Sequence, residues 1–208
     1  MMVSNDADAD AQGGVDRLPL VGGHPALDFA NTVSWRGANT WDDSLVEPGD
    51  LLRWGVRAGL IDASEAEAEA GGAGEARALF ERALRLREAV YDVFAAVALG
   101  GPIPDAALSD LSGEWAEARG RMLLEAGAEG EVSATLPAGA PLERIIWALA
   151  ASAGDLLLEL EPARIKTCAG AECGYLYVDS SRNRSRRWCD MAECGNRAKV
   201  RRFRARER

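Results

Sequence analysis

Apolar positions along this chain follow helical spacing over most of its length. The clearest stretch is 75–99, where Leu79, Ala83, Leu86, Val90, Phe94 and Val97 recur at three- and four-residue steps and share one face. Gly100, Gly101 and Pro102 stop it. Pro141 opens a second long helix that reaches Leu160, with Ile145, Ile146, Leu149, Leu156, Leu157 and Leu160 on its buried side, and Pro162 closes it. Between the two, the pattern predicts a helix over 105–119 and a hairpin pairing 122–124 with 132–136 across the glycines of 127–130. Nearer the start, Leu18 to Val21 reads as a short strand stopped by Gly22 and Gly23. Pro25 then begins a helix carrying Leu27, Phe29, Ala30 and Val33. Asp50 is expected to cap a helix with Leu51, Leu52, Trp54 and Val56 that ends at Gly59. Asp62 or Ser64 starts an Ala- and Glu-rich helix ending at Gly71 and Gly72.

These elements predict a mainly α fold: a multihelical body with a few β-strands over 17–163, closed by Pro162. Residues 1–16 are polar and acidic and predict a disordered N-terminus. Residues 164–208 form a separate small unit. Trp35, Trp41, Trp54, Trp115 and Trp147 are expected in the body's core, because large aromatics dominate burial energetics.

Charge separates the two parts more sharply than hydropathy does. The whole chain carries −9, yet 164–208 holds 13 Lys and Arg against 5 Asp and Glu, a balance of +8 that leaves −17 on the rest. Such a split fits a tail that faces nucleic acid, or one that docks on an acidic surface. The first residues lack the apolar stretch of a secretory signal. No run approaches the roughly 18 apolar residues of a membrane span. A cytoplasmic protein with no membrane partner is expected.

All four cysteines lie in the basic tail. Cys168 and Cys173 form one C-x4-C pair, fifteen residues follow, and Cys189 and Cys194 form another. In a reducing compartment such pairs point to metal rather than to disulfides. Four thiolates suit a tetrahedral Zn2+ ion and leave no open coordination position, so one structural zinc is expected. Residues 175–178 alternate aromatic and branched side chains and read as a strand, 180–187 as a polar turn, and 187–189 as the returning strand. Cys194 leads into a helix running toward Arg208. A knuckle, a hairpin and a helix in that order describe a small C-terminal treble-clef-like zinc finger.

The tail resembles the CGNR zinc finger family, named for the four residues that stand here as Cys194-Gly195-Asn196-Arg197. The stretch GGHPALDFANTV, residues 22–33, resembles the start of the helical domain that accompanies this finger in bacterial stress-induced transcription regulators. Together the two resemblances extend over most of the chain, and they imply DNA binding by the finger.

The residues point the same way. On a helix begun at Arg197, Arg201, Arg204 and Arg208 fall within about 40° of it, and Lys199, Arg202 and Arg206 gather on the opposite side. Val200 and Phe203 form a narrow apolar stripe between them, expected to dock on the hairpin. Arg182, Arg184, Arg186 and Arg187 add a basic tip. Arginine suits bidentate bonding to phosphate and to guanine edges. Contacts to double-stranded DNA are therefore expected from Arg182, Arg184, Arg186, Arg187, Asn196, Arg197, Lys199, Arg201, Arg202 and Arg204. Asn196 and Arg197 are the candidates for contacts to bases, with a role in the turn as the other reading of Asn196. A helix of roughly 20 Å can lie in a major groove.

For the body, His24, the only histidine, has two readings: a place in the core or at the start of a helix, or a candidate small-molecule effector pocket built with Asp28, Asn31 and Arg36. Asp28 and Asn31 are three apart on a helix and share a face. There is no phosphate-cradling glycine loop, no GxSxG elbow and no HExxH, so a non-enzyme is expected. Three classes of function stay open. The first is a transcription regulator whose finger binds DNA and whose body senses an effector or forms a homodimer. The second is a zinc-stabilised protein–protein module. The third is an enzyme acting near His24 and Asp28.

Overall fold

The computed structural model describes residues 14–39, 41–67, 72–128 and 130–206. The chain is mainly helical: α1 is Gly14–Arg17, α2 Pro25–Ala30, α3 Pro48–Arg57, α4 Ala63–Glu67, α5 Ala73–Leu99, α6 Asp105–Arg121, α7 Pro141–Glu159 and α8 Asn196–Arg206. Three two-stranded antiparallel ladders complete it: β1 (Val33–Ser34) with β2 (Asp42–Asp43), β3 (Leu123–Ala126) with β4 (Val132–Thr135), and β5 (Ile165–Thr167) with β6 (Leu176–Val178).

The two long helices predicted by periodicity form the centre. From α7, Leu142, Ile145, Ile146, Leu149, Ala150 and Ala153 are fully buried, and they meet Phe80, Ala83, Leu86, Val90, Val93 and Phe94 of α5. Helix α2 packs on both, and α6 lies along α7. Burying each Leu, Ile, Val or Phe side chain here is worth roughly 1.5–3 kcal/mol, and each alanine methyl about 0.8 kcal/mol, so this helical stack is the main source of stability. Within it Phe29 and Trp54 meet at 5.2 Å between ring centroids.

Several elements differ from the expectation in instructive ways. Asp50 does cap α3, but from inside the first turn: Glu47 is the N-cap residue, and the Asp50 carboxylate accepts from the backbone N–H groups of Val46 (2.8 Å) and Glu47 (2.9 Å). No strand forms at 18–21, although Leu18 is buried. Residues 14–17 form a helical turn with Val15 buried, inside the stretch expected to be disordered, whereas 1–13 lie outside the described residues. The predicted end of α4 at Gly71 also lies outside them. Trp54 and Trp147 are in the core, but Trp41 is 64% exposed, and Trp35 packs against the cysteine cluster instead. The positive φ of Trp35, 59°, turns its ring out of the β1–β2 corner toward the finger.

The finger's hairpin is also placed differently. Residues 187–189 make no strand; β6 pairs with β5, which precedes the first cysteine pair, in the register Ile165↔Val178, Lys166↔Tyr177 and Thr167↔Leu176. The reason lies in Asp179. Its buried carboxylate accepts from Lys166 Nζ (2.8 Å), Ser181 N (3.0 Å), Ser181 Oγ (2.6 Å) and Arg186 N (3.1 Å). Those bonds wind 179–186 into a turn and leave β5 as the neighbour that β6 can pair with.

Candidate metal centre and nucleic-acid interface

The β5–β6 hairpin carries Cys168 and Cys173 at its tip, and the π-turn Met191–Gly195 carries Cys194 straight into α8. Cys189 arrives on the loop between. The four Sγ atoms lie within 4.8 Å of one another, and all four residues are buried. Cys173 and Cys189, and Cys189 and Cys194, stand 3.7 Å apart. A disulfide requires about 2.05 Å. A tetrahedron with zinc–sulfur bonds of about 2.3 Å has edges of about 3.8 Å. The donors are sulfur alone, which suits zinc and not the hard cations that take oxygen. The centre therefore fits one structural zinc ion with no coordination position left for chemistry.

The surroundings favour thiolate at Cys168 and disfavour it at Cys173, Cys189 and Cys194. Backbone N–H groups of Gly170 and Cys189 both donate to Cys168 Sγ at 3.3 Å. Hydrogen bonds from the Cys173 and Cys189 thiols hold Cys168 well below the ordinary thiol value, while sharing that bond pushes Cys173 up to about 12. A divalent cation is what allows four crowded sulfurs to ionise together. One glycine makes room for the cluster. A Cβ on Gly170 would stand 3.0 Å from Cys194 Sγ and 3.3 Å from Cys168 Sγ. Tyr175, Tyr177, Trp35, Trp188 and Val21 pack against the cluster.

The finger is tied into the body along one seam. Asn31 Nδ2 donates to the Leu176 carbonyl and Asn31 Oδ1 accepts from the Leu176 N–H, both at 2.8 Å. Val178 N donates to the Gly22 carbonyl at 2.8 Å, and Gly22 N donates to Asp28 Oδ1 at 2.7 Å. Ser34 and Tyr175 share a hydroxyl–hydroxyl bond of 2.6 Å. Gly37 N donates to the Glu172 carbonyl at 3.2 Å. Ile165 and Leu176 of the hairpin belong to the same apolar core as α5 and α7.

The residues proposed from sequence as an effector pocket thus sit at this seam. The Asn31 amide is spent on Leu176 and the Asp28 carboxylate on the Gly22 turn. Burial pushes Asp28 up to about 6 against the pull of the Gly22 N–H and of Arg57. His24 stands at the N-terminus of α2, 3.5 Å from Ser152 Oγ, and burial lowers its pKa against the influence of Asp155. Arg36 turns the other way. It makes a bidentate pair with Glu88 (2.6 and 3.0 Å) and stacks on Tyr91, 4.0 Å from the ring centroid.

The ten residues named for DNA contact fall into two groups. Arg186 faces inward: its guanidinium donates to the carbonyls of Trp188 (3.0 Å), Val178 (3.4 Å), Val21 (3.1 Å) and Cys189, and lies over the Tyr177 ring. Arg184 pairs with Glu161 at 2.6 Å. Asn196 Nδ2 donates to the Ala192 carbonyl at 2.9 Å, holding the turn into α8. The others are exposed: Arg182 and Arg187 on the loop, and Arg197, Lys199, Arg201, Arg202 and Arg204 on α8. Arg197 stacks on Trp35, with 4.4 Å between its guanidinium carbon and the ring centroid. Among the described residues none of these five on α8 is in a salt bridge. The apolar stripe does not dock on the hairpin: Val200 is 49% and Phe203 62% exposed.

Two supporting residues escaped the sequence reading. Asp179 carries a recognisable signal, since an Asp followed by two serines after a strand is a turn former. Arg87 carries none. It sits on the buried face of α5 and makes bidentate bonds to Asp43 (2.7 and 2.8 Å), fixing the β1–β2 corner that bears Trp35.

Fold and site together define a helical body with a structural four-cysteine finger built into its flank. A family model described as "Putative stress-induced transcription regulator" (ABATE) matches residues 23–159, and the model of the CGNR zinc finger matches residues 164–207. The first covers more than half of the chain, so the chain belongs to the ABATE family, and a CGNR zinc finger follows that region. No curated protein matches it. Among the described residues no helix is long and apolar enough to cross a membrane.

Proposed function

We propose that this protein is a transcription regulator that binds double-stranded DNA, with structural zinc fixing α8 as the contact element and the body as the effector-sensing or dimerising part. The observation that carries the reading is α8 itself. It has 11 residues and no buried side chain, and with Arg206 it holds six exposed cations outside any salt bridge among the described residues. Cations left unpaired on a chain of net charge −9 have a polyanion as their natural partner. Arg182 and Arg187 are the other exposed arginines of the finger read as contacting DNA. Arg184, Arg186 and Asn196 are read instead as parts that shape it. The division remains a body over 17–163 and a finger over 164–208, sharing one core at the hairpin.

For the effector, a groove of about 500 Å³ lined in part by Arg36, Trp41, Glu88 and Tyr91 is a better candidate than the His24 region. Its volume suits a small molecule. The Tyr91 hydroxyl donates to the Gly174 carbonyl of the finger at 3.2 Å, so an occupant would touch a residue that also touches the finger. No catalytic role is assigned.

Fluorescence anisotropy of a labelled duplex with the full-length, zinc-loaded chain tests the reading. Binding that weakens steeply with salt and disappears on chelation supports it. Retained binding after zinc removal contradicts the role given to the metal; no binding near physiological salt, alongside capture of an acidic protein, favours the protein–protein module.

A further inference from the structure

We propose that Val200 and Phe203 read thymine methyl groups in the major groove, giving the finger a preference for sites with A·T pairs at the positions they face. This rests on the DNA-binding reading above. The geometry begins with how α8 is held. Ala198 and Ala205 line the groove that also contains Trp35, Gly170 and Ala171, so the alanine edge is the inner edge of the helix. At 100° per residue, Val200 lies about 160° from Ala198 and Phe203 about 160° from Ala205. The two apolar side chains therefore lie on the side of α8 opposite Trp35 and Gly170; Val200 also borders an open groove with Ala192 and Glu193, and it is 49% and Phe203 62% exposed.

Their flanks are charged on both sides. Arg197 and Arg204 stand about 40–60° from Val200 on one side, and Lys199 and Arg206 about 40–60° from Phe203 on the other. A second copy of this helix would set arginine rows against arginine rows. Duplex DNA offers the complementary surface. Its major groove, about 12 Å wide, has a phosphate rail on each side and accepts a helix of about 10–12 Å diameter. The apolar groups on the groove floor are the C5 methyls of thymine. Of the two residues first suited to base edges, Asn196 is engaged with the Ala192 carbonyl, and Arg197, stacked on the Trp35 ring, is held on one flank. That leaves Val200 and Phe203 facing the floor, while the cations hold the rails.

The test removes single methyl groups from the DNA. Duplexes bound by the full-length, zinc-loaded protein are selected from a random pool, and each thymidine in the selected site is replaced in turn by deoxyuridine, which lacks the methyl. Affinity is expected to fall about fourfold at one or two positions, the value of burying one methyl-sized group. Phe203→Ala and Val200→Ala should bind the thymidine site more weakly, lose the deoxyuridine effect at one position each, and keep the salt slope. Both side chains are exposed, so zinc content and circular dichroism should match those of the parent. Salt-sensitive binding with no deoxyuridine effect, or a selected site without A·T preference, overturns the thymine reading and leaves the DNA reading standing. Absence of duplex binding overturns both.

Discussion

The carboxamide of Asn31, in the body, donates to the carbonyl of Leu176 and accepts its N–H, both at 2.8 Å, across 145 residues of sequence. One side chain thereby does for the finger's strand what a neighbouring strand would do. Replacing Asn31 with Ala leaves a buried donor and a buried acceptor without partners. Each such loss costs about 1–3 kcal/mol. Asn31→Ala should lower the urea midpoint markedly and speed amide exchange at Leu176 and Val178. An unchanged midpoint would show that water replaces the amide without cost.

Zinc removal should reach beyond the finger. Trp35 and Val21 of the body pack on the cysteine cluster, while Ile165 and Leu176 of the hairpin belong to the main core. Chelation is expected to melt 168–175 and 189–206 and to lower the melting temperature of the body, with β5 and β6 keeping part of their exchange protection. A body whose melting temperature ignores zinc would show that the shared core is not shared energetically.

The seam also predicts a pH dependence. Asp28 is held up at about 6 in the folded state by burial, against an ordinary value of 3.8. The folded state binds its proton more tightly than the unfolded state does, so its contribution is fully present below the unfolded value and is lost as pH rises through about 6. Asp28→Asn keeps an acceptor for the Gly22 N–H without the buried charge. The variant should gain stability relative to the parent as pH rises from about 5 to 7. Denaturant titrations of both proteins across that window check the sign; parallel curves would contradict it.

How much of this was legible beforehand depended on what kind of signal a residue carries. Periodicity exposed α5 and α7, because their buried faces repeat locally. Cysteine spacing exposed the metal centre, because four thiolates have few other uses. Pairing of β6 with β5 rather than with 187–189 was not legible, since it follows from where the buried Asp179 collects its hydrogen bonds. Arg184 and Arg186 look like their neighbours in sequence. Only the fold distinguishes an arginine donating to the carbonyls of Val21 and Cys189 from one that faces solvent.

That distinction predicts opposite phenotypes within one arginine-rich stretch. Arg186→Ala removes a guanidinium bonded to four backbone carbonyls and stacked on Tyr177, and should weaken zinc retention and lower stability by about 2–4 kcal/mol. Arg182→Ala, on the exposed loop, should leave both unchanged within about 0.5 kcal/mol. Competition with a chromogenic zinc chelator, followed by thermal melting, separates the two; equal behaviour would contradict the assignment.

The central claim is that α8, set in place by the metal centre, is the surface that meets DNA. It is tested most directly by the dependence of duplex affinity on salt concentration for the zinc-loaded parent and for Arg204→Ala. Each phosphate contact contributes about −0.9 to the slope of log affinity against log salt. The slope of Arg204→Ala should be shallower than the parent's by about that amount, with stability and zinc content unchanged. The same slope in both proteins, or a parent whose duplex affinity does not depend on salt, would contradict the claim.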